Sequence, residues 1–128
     1  MNRPQYPLSP HLQVYRLPLT AWLSITHRIT GVLLVVGVAA FTIALLILAN
    51  YPLAWQFVDQ LANSYLLTII LVVTCFAFWL HWFHGLRHLI WDTGTGFDLR
   101  YARLFNYLEL SLAVLFTISV WFVHLILT

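Results

Sequence analysis

The sequence predicts an all-α membrane protein of three transmembrane helices, and three observations carry that reading. The chain of 128 residues is 62% hydrophobic and only 8% charged, a balance that cannot keep the surface of a soluble domain this small hydrated. Its apolar residues fall into three runs free of Asp, Glu, Lys and Arg: Gly31 to Leu48, Tyr65 to Leu80, and Leu110 to Leu127. The runs are continuous rather than alternating, which excludes the strands of a membrane barrel.

About 20 apolar residues in a helix cross a hydrocarbon core of ~30 Å, so each run reaches across with modest extension. The expected spans are about 20–49, 64–90 and 106–127 of a single membrane-anchor domain covering 1–128. Residues 1–19 form an arm on the inner side. In that arm Pro4, Pro7 and Pro10 favour extended backbone, and Pro18 can open a helix that continues from Leu19. No apolar stretch precedes Gly31, so no cleavable signal is expected. The single Cys75 sits inside an apolar run, which leaves no disulfide framework and no cysteine cluster. A net charge of +2 does not suggest nucleic acid.

All six basic residues are arginine. Arg3, Arg16 and Arg28 lie before or at the first span, and Arg87, Arg100 and Arg103 at and after the end of the second. Positive charge marks the cytoplasmic side, so the amino terminus is expected inside and the carboxyl terminus outside. Trp22, Trp55, Trp82, Trp91 and Trp121 fall near span ends, where interfacial aromatics sit.

Two polar groups interrupt this background. Ser24, His27 and Arg28 share a helical face at i, i+3 and i+4. His81, His84, Arg87 and His88, followed by Asp92, form the second group. The first span runs outward and the second returns, so both groups meet at the inner end. Ionisable groups at membrane depth usually mark a site, yet arginines and histidines also anchor helix ends by snorkelling. Charge and depth leave both readings open.

By itself His84 reads as a satisfied interfacial histidine. His124 reads likewise, and Asp59 and Glu109 as solvated or helix-end groups. His81 is followed at i+4 by Gly85. A neutral buried imidazole suits an iron porphyrin, and a glycine one turn along clears room for a flat ring. Arg28, Arg87, His27 and His88 are placed to face its anionic propionates.

Arg3-Pro4, Leu8-Ser9-Pro10-His11, Tyr15, Pro18 and the segment Ser24-Ile25-Thr26-His27-Arg28-Ile29-Thr30-Gly31 resemble the amino-terminal signature of the succinate dehydrogenase cytochrome b subunit family. The segment from His81 through His84, Gly85, Arg87, His88 and Asp92 to Gly94 is similar to that family's second signature. Gln5 and Tyr6 loosen the usual spacing of the arm.

The resemblance implies a haem-binding, multi-subunit helix bundle in which His81 is one axial ligand of haem b. The other ligand would be a histidine of a second small membrane subunit. His27, Arg28, Arg87 and His88 would lie on the propionate side, and Ser24, Ile25 and Arg28 would line a ubiquinone pocket. Electrons would come from a flavoprotein that oxidises succinate, through an iron–sulfur subunit, linking the tricarboxylic acid cycle to the respiratory chain.

This chain has neither a flavin motif nor iron–sulfur cysteines, so it is expected to serve as a non-succinate-oxidising subunit of the enzyme, inactive alone. The expected location is the bacterial inner membrane, with the mitochondrial one as the alternative. The rival functions are the anchor of a fumarate reductase using menaquinone and a haem-free structural anchor. A third is a bis-histidine cytochrome of the formate dehydrogenase or hydrogenase type, whose subunits have four or five helices.

Overall fold

A computed structural model describes residues 16–127, all of them in helices or short connections. The helices are α1 (Leu19–Asn50), α2 (Ala54–Ala62), α3 (Tyr65–Asp92) and α4 (Leu99–Leu127). Of these, α1, α3 and α4 are long and apolar enough to cross a membrane. At a rise of 1.5 Å per residue, 28 to 32 residues give roughly 42–48 Å, so each of the three projects beyond a hydrocarbon core of ~30 Å. Most of the expected arm, with Arg3 and the prolines before residue 16, lies outside the described residues.

The ends of the helices follow from local chemistry. The Pro18 carbonyl accepts from the N–H groups of Ala21 and Trp22 at 3.0 and 3.3 Å and so begins α1. Ser64 caps α3, its hydroxyl accepting from the Leu67 N–H at 3.2 Å. After Asp92 the chain turns through Gly94 and Gly96, whose φ values of 79° and 81° lie where a Cβ is disfavoured. The Trp91 indole donates to the Gly96 carbonyl at 3.2 Å, which closes that turn. Asp98 then starts α4 by accepting from the Arg100 N–H at 2.9 Å.

Two features depart from the sequence expectation. The third span is expected from about residue 106, and the helix that carries it, α4, begins seven residues earlier, at Leu99. Its first two turns carry Arg100 and Arg103, both exposed. A helix continues through charged residues wherever their side chains reach water, so an uncharged window marks only its membrane-buried part. The short helix α2 was not expected at all. It presents Trp55, Phe57 and Leu61 outward, in the manner of a segment lying along a membrane surface.

Partner residues establish the topology. His84 meets Glu109 and Arg87 meets Asn106, so α3 and α4 are antiparallel. Thr30 meets His81 and His27 lies against His84, so α1 and α3 are antiparallel too. Ala77 and Ala113, with Thr30 and Thr117, are buried between helices, where small side chains let backbones approach closely. The apolar core is Leu23, Leu80 and Ala113, flanked by Phe76, Trp79, Phe83 and Leu110. Only Leu23 and Thr30 of α1 are buried, so this helix joins the bundle through its first third. Beyond that, side chains such as Val35 and Val38 face outward.

A polar cluster lies between α3 and α4. His84, Arg87, Asn106 and Glu109 are 1, 2, 1 and 4% exposed. Arg87 Nε lies 2.9 Å from Glu109 Oε1 as an ion pair, without the alignment of a hydrogen bond. The other carboxylate oxygen, Oε2, lies 2.9 Å from His84 Nδ1. Arg87 Nη1 donates to Asn106 Oδ1, and Asn106 Nδ2 donates to Thr20 Oγ1 on α1 at 2.8 Å. Three helices are thus tied together at one depth.

Glu109 is therefore not the solvated helix-end group expected from its place before an apolar run. It sits ten residues into α4, paired inside the bundle. His84 is satisfied, as expected of it singly, but by Glu109 inside the bundle, where its ring is enclosed.

Removing one member of a buried ion pair leaves the other charge uncompensated, at a cost of about 3–5 kcal/mol. Glu109→Leu is expected to lower the thermal stability of the detergent-solubilised complex sharply. The double change Arg87→Met with Glu109→Leu should recover much of the loss. Melting curves of the two variants check this, and equal stability of the single variant and the wild type would contradict it.

Candidate functional site

The two polar groups predicted to meet do meet, and the contact is made by imidazoles. His81 Nδ1 lies 3.1 Å from the backbone carbonyl of His27 and 3.2 Å from Thr30 Oγ1. A carbonyl can only accept, so the proton sits on Nδ1 and is donated to His27. The Thr30 hydroxyl donates within its own helix, 2.8 Å from the Thr26 carbonyl, which leaves its lone pairs for the same N–H. Among the described residues His81 Nε2 makes no hydrogen bond. A histidine with one nitrogen fixed by a carbonyl and the other bare is arranged as metal-ligating histidines are.

Gly31 makes this contact possible. A Cβ there would fall 3.0 Å from His81 Cε1, tighter than most packed Cβ contacts, so a side chain at this position would push the ring back from α1. At Gly85 the case differs, because a Cβ would meet nothing within 4 Å. That glycine opens onto empty space.

The space is a pair of open cavities on either side of His81. One, of about 640 Å³, is walled by Gly31, Val32, Val35 and Val36 of α1, with His27 and Arg28 beside them. The other, of about 320 Å³, is walled by Trp82, Gly85, Leu86 and Leu89 of α3. His81 borders both. The donor set agrees with a porphyrin rather than a bare ion. Among the described residues no group of three His, Cys, Asp or Glu side chains can hold a metal, and a single imidazole suffices when a macrocycle supplies the other nitrogens. Apolar walls with one arginine at the margin suit a flat apolar ring with an anionic edge, so the residues present fit the group.

His27 is the junction of the site. Its ring stacks on His81 with centroids 3.9 Å apart and planes 10° from parallel. It also tilts against the His84 ring at 4.6 Å and 32°. Its Nδ1 is buried without a hydrogen-bond partner.

The remaining predicted residues divide. Arg28 is exposed, borders the larger cavity and places Nε 3.4 Å from the Ser24 carbonyl. Ser24 and Ile25 are half-buried one turn before it and line neither cavity. His88 is exposed, its ring 5.7 Å from that of His27 and 5.3 Å from that of Trp91. Arg87 was expected on the propionate side, but the structure does not bring it to the cavities. Its guanidinium is taken up by Glu109 and Asn106, and it lies 4.7 Å over the Trp91 ring.

Sequence reasoning missed Thr30, Asn106 and Glu109. The i, i+3 spacing of Asn106 and Glu109 was a usable signal, since it puts an amide and a carboxylate on one helical face inside an apolar series.

Comparison with known proteins places the chain as a whole. Residues 2–125 match the family model described as the succinate dehydrogenase/fumarate reductase transmembrane subunit. The chain is 46% identical over 103 residues to the succinate dehydrogenase cytochrome b556 subunit of Paracoccus denitrificans, covering 80% of this chain and 79% of that one. It is 37% identical over 124 residues to the succinate dehydrogenase cytochrome b560 subunit of Reclinomonas americana, covering 91% and 85%. With the mitochondrial cytochrome b560 subunit of Sus scrofa the identity is 35% over 118 residues, covering 88% and 68%. A match across nearly the whole chain, together with three apolar helices, leads to one conclusion: this chain belongs to the succinate dehydrogenase/fumarate reductase transmembrane subunit family.

Proposed function

We propose that this chain is the haem-b-carrying membrane anchor of a succinate:ubiquinone oxidoreductase and forms part of its quinone-reduction site. The observation that carries the reading is His81, with Nδ1 bound to the His27 carbonyl and Nε2 bare between two apolar cavities. The cytochrome b names of the relatives support haem b as the group it ligates. When bound, haem b supplies a one-electron carrier. The second ligand comes from a histidine of a partner membrane subunit, since three helices offer one suitably placed imidazole. Arg28, His27 and His88 then face the propionates, with Arg87 engaged elsewhere.

Arg28 and Ser24 serve the quinone. Arg28 presents a planar guanidinium at the margin of the larger cavity, where it stabilises negative charge developing on a quinone oxygen. The Ser24 hydroxyl, one turn away, offers a hydrogen bond to a carbonyl. Electrons reach the site from an iron–sulfur subunit docked at the arginine-bearing end, fed by a flavoprotein that oxidises succinate. That end faces the cytoplasm by the distribution of positive charge, and the Paracoccus relative supports a bacterial inner membrane. The relatives named for succinate dehydrogenase favour succinate oxidation over the fumarate reductase direction that the family also includes.

His81→Leu is expected to abolish or shift the low-spin b-type band in dithionite-reduced minus oxidised spectra of the purified complex. His84→Gln should leave that optical band in place. The reverse pattern would sink the ligand assignment.

Gly31→Ala places a methyl 3.0 Å from His81 Cε1 and should likewise reduce bound haem. Gly85→Ala adds a methyl that meets no protein atom, so haem lost from Gly85→Ala reports on the macrocycle itself. Haem-to-protein ratios of the two complexes check both expectations.

Arg28→Lys keeps the charge but loses the planar fork. The complex should assemble and reduce quinone about tenfold more slowly, as for ~1.4 kcal/mol of lost transition-state stabilisation. Succinate oxidation with an artificial acceptor should be spared. Equal loss of both activities would point to failed assembly and remove the support for a role at the quinone.

A further inference from the structure

His84 has no part in the ligation or quinone chemistry described above, yet at 1% exposure it is among the most enclosed side chains in the molecule. Both of its ring nitrogens are engaged. Nδ1 donates to Glu109 Oε2 at 2.9 Å, and Arg87 Nη2 lies against the ring, 3.0 Å from Nδ1 and 3.1 Å from Nε2. An imidazole held at both nitrogens cannot spin about its Cβ–Cγ bond, and Glu109 and Arg87 are themselves fixed by their ion pair and by Asn106.

Among the described residues, the imidazole in contact with both this clamped ring and His81 is that of His27. It makes no side-chain hydrogen bond among the described residues, and its Nδ1 is buried without a partner. Its orientation is therefore set by ring contacts: a near-parallel stack on His81 at 3.9 Å, a tilted contact with His84 at 4.6 Å, and His88 farther away at 5.7 Å. Three imidazoles stand in series, anchored at the α4 end and bare at the His81 end.

We propose that His84 is a positioning residue: clamped by Glu109 and Arg87, its ring props the His27 ring, which in turn fixes the plane of the His81 imidazole. The inference rests on the reading of His81 as a haem ligand. Two properties of a ligating imidazole depend on such support. Its plane about the iron–nitrogen axis determines which iron d orbital it overlaps. Its Nδ1–H bond, here to the His27 carbonyl, determines its basicity. A loosened His27 ring frees the plane while leaving the ligand in place, so a purely structural role for His84 and a positioning role separate in spectroscopy.

Two substitutions in the full complex divide the functions of the ring. His84→Gln keeps a polar group for Glu109 and Arg87 but removes the flat ring. His84→Phe keeps a flat ring against His27 but removes both polar contacts. The readout is the low-temperature electron paramagnetic resonance spectrum of the oxidised haem, whose largest g value follows the relative orientation of the two axial imidazole planes. The expected result is retained haem in both variants, a shifted largest g value in His84→Gln, and a value at or near wild type in His84→Phe.

A wild-type spectrum from His84→Gln, or equal displacement in both variants, would overturn the proposal. So would failure of both to assemble, which would assign His84 to holding α3 against α4. The ligand reading fails separately, if the wild-type complex has no low-spin haem signal or if His81→Leu retains it unchanged.

Discussion

An arginine and a glutamate in the interior of a membrane bundle persist only as a pair, and the rest of this structure is arranged around that constraint. Alone in hydrocarbon either charge is costly. Together, at 2.9 Å and with Asn106 and His84 bonded to the guanidinium and the carboxylate, Arg87 and Glu109 compensate each other's charge. The pairing fixes the register of α3 against α4, because a slip by one turn would separate the two charges. Through Asn106 and Thr20 the same unit reaches α1. The apolar core of Leu23, Leu80 and Ala113 supplies area but little choice of register, since neighbouring lipid offers similar contacts.

The site is built outward from that unit as a gradient of satisfaction. Glu109 and Arg87 are enclosed, His84 has both nitrogens engaged, His27 is held by stacking, and His81 keeps one nitrogen bare. Engagement falls with distance from the ion pair, and the rigidity of the outer rings is borrowed from the buried polar contacts behind them. Gly31 completes the arrangement from α1, its missing side chain allowing the His81 ring to sit against the helix backbone.

The surfaces left uncovered belong to the same logic. Beyond its first third α1 contributes no buried side chain, and its valines wall the larger cavity. With His81 bordering open cavities on both sides, the chain presents half of an enclosure. A transmembrane subunit of a respiratory complex is made to be completed by other chains.

Pattern alone was enough for the three spans and for the meeting of two polar groups. Three uncharged runs required three spans, since no other backbone satisfies its own hydrogen bonds in hydrocarbon, and the spacing of Ser24, His27 and Arg28 opposite the His81 group placed both at one end of the bundle. Pattern could not decide which polar residues face each other. Glu109 read as a solvated helix end because charge runs show where the apolar window stops, whereas the helix itself starts at Leu99. Arg87 and Arg28 were indistinguishable as cations near a histidine. The tertiary structure separated them, giving Arg87 to Glu109 and leaving Arg28 at the cavity. The protonated nitrogen of His81, the stacking of His27 and the close approach at Gly31 likewise depend on how α1 crosses α3. One-dimensional pattern records which face a residue occupies, but not the distance to the helix opposite.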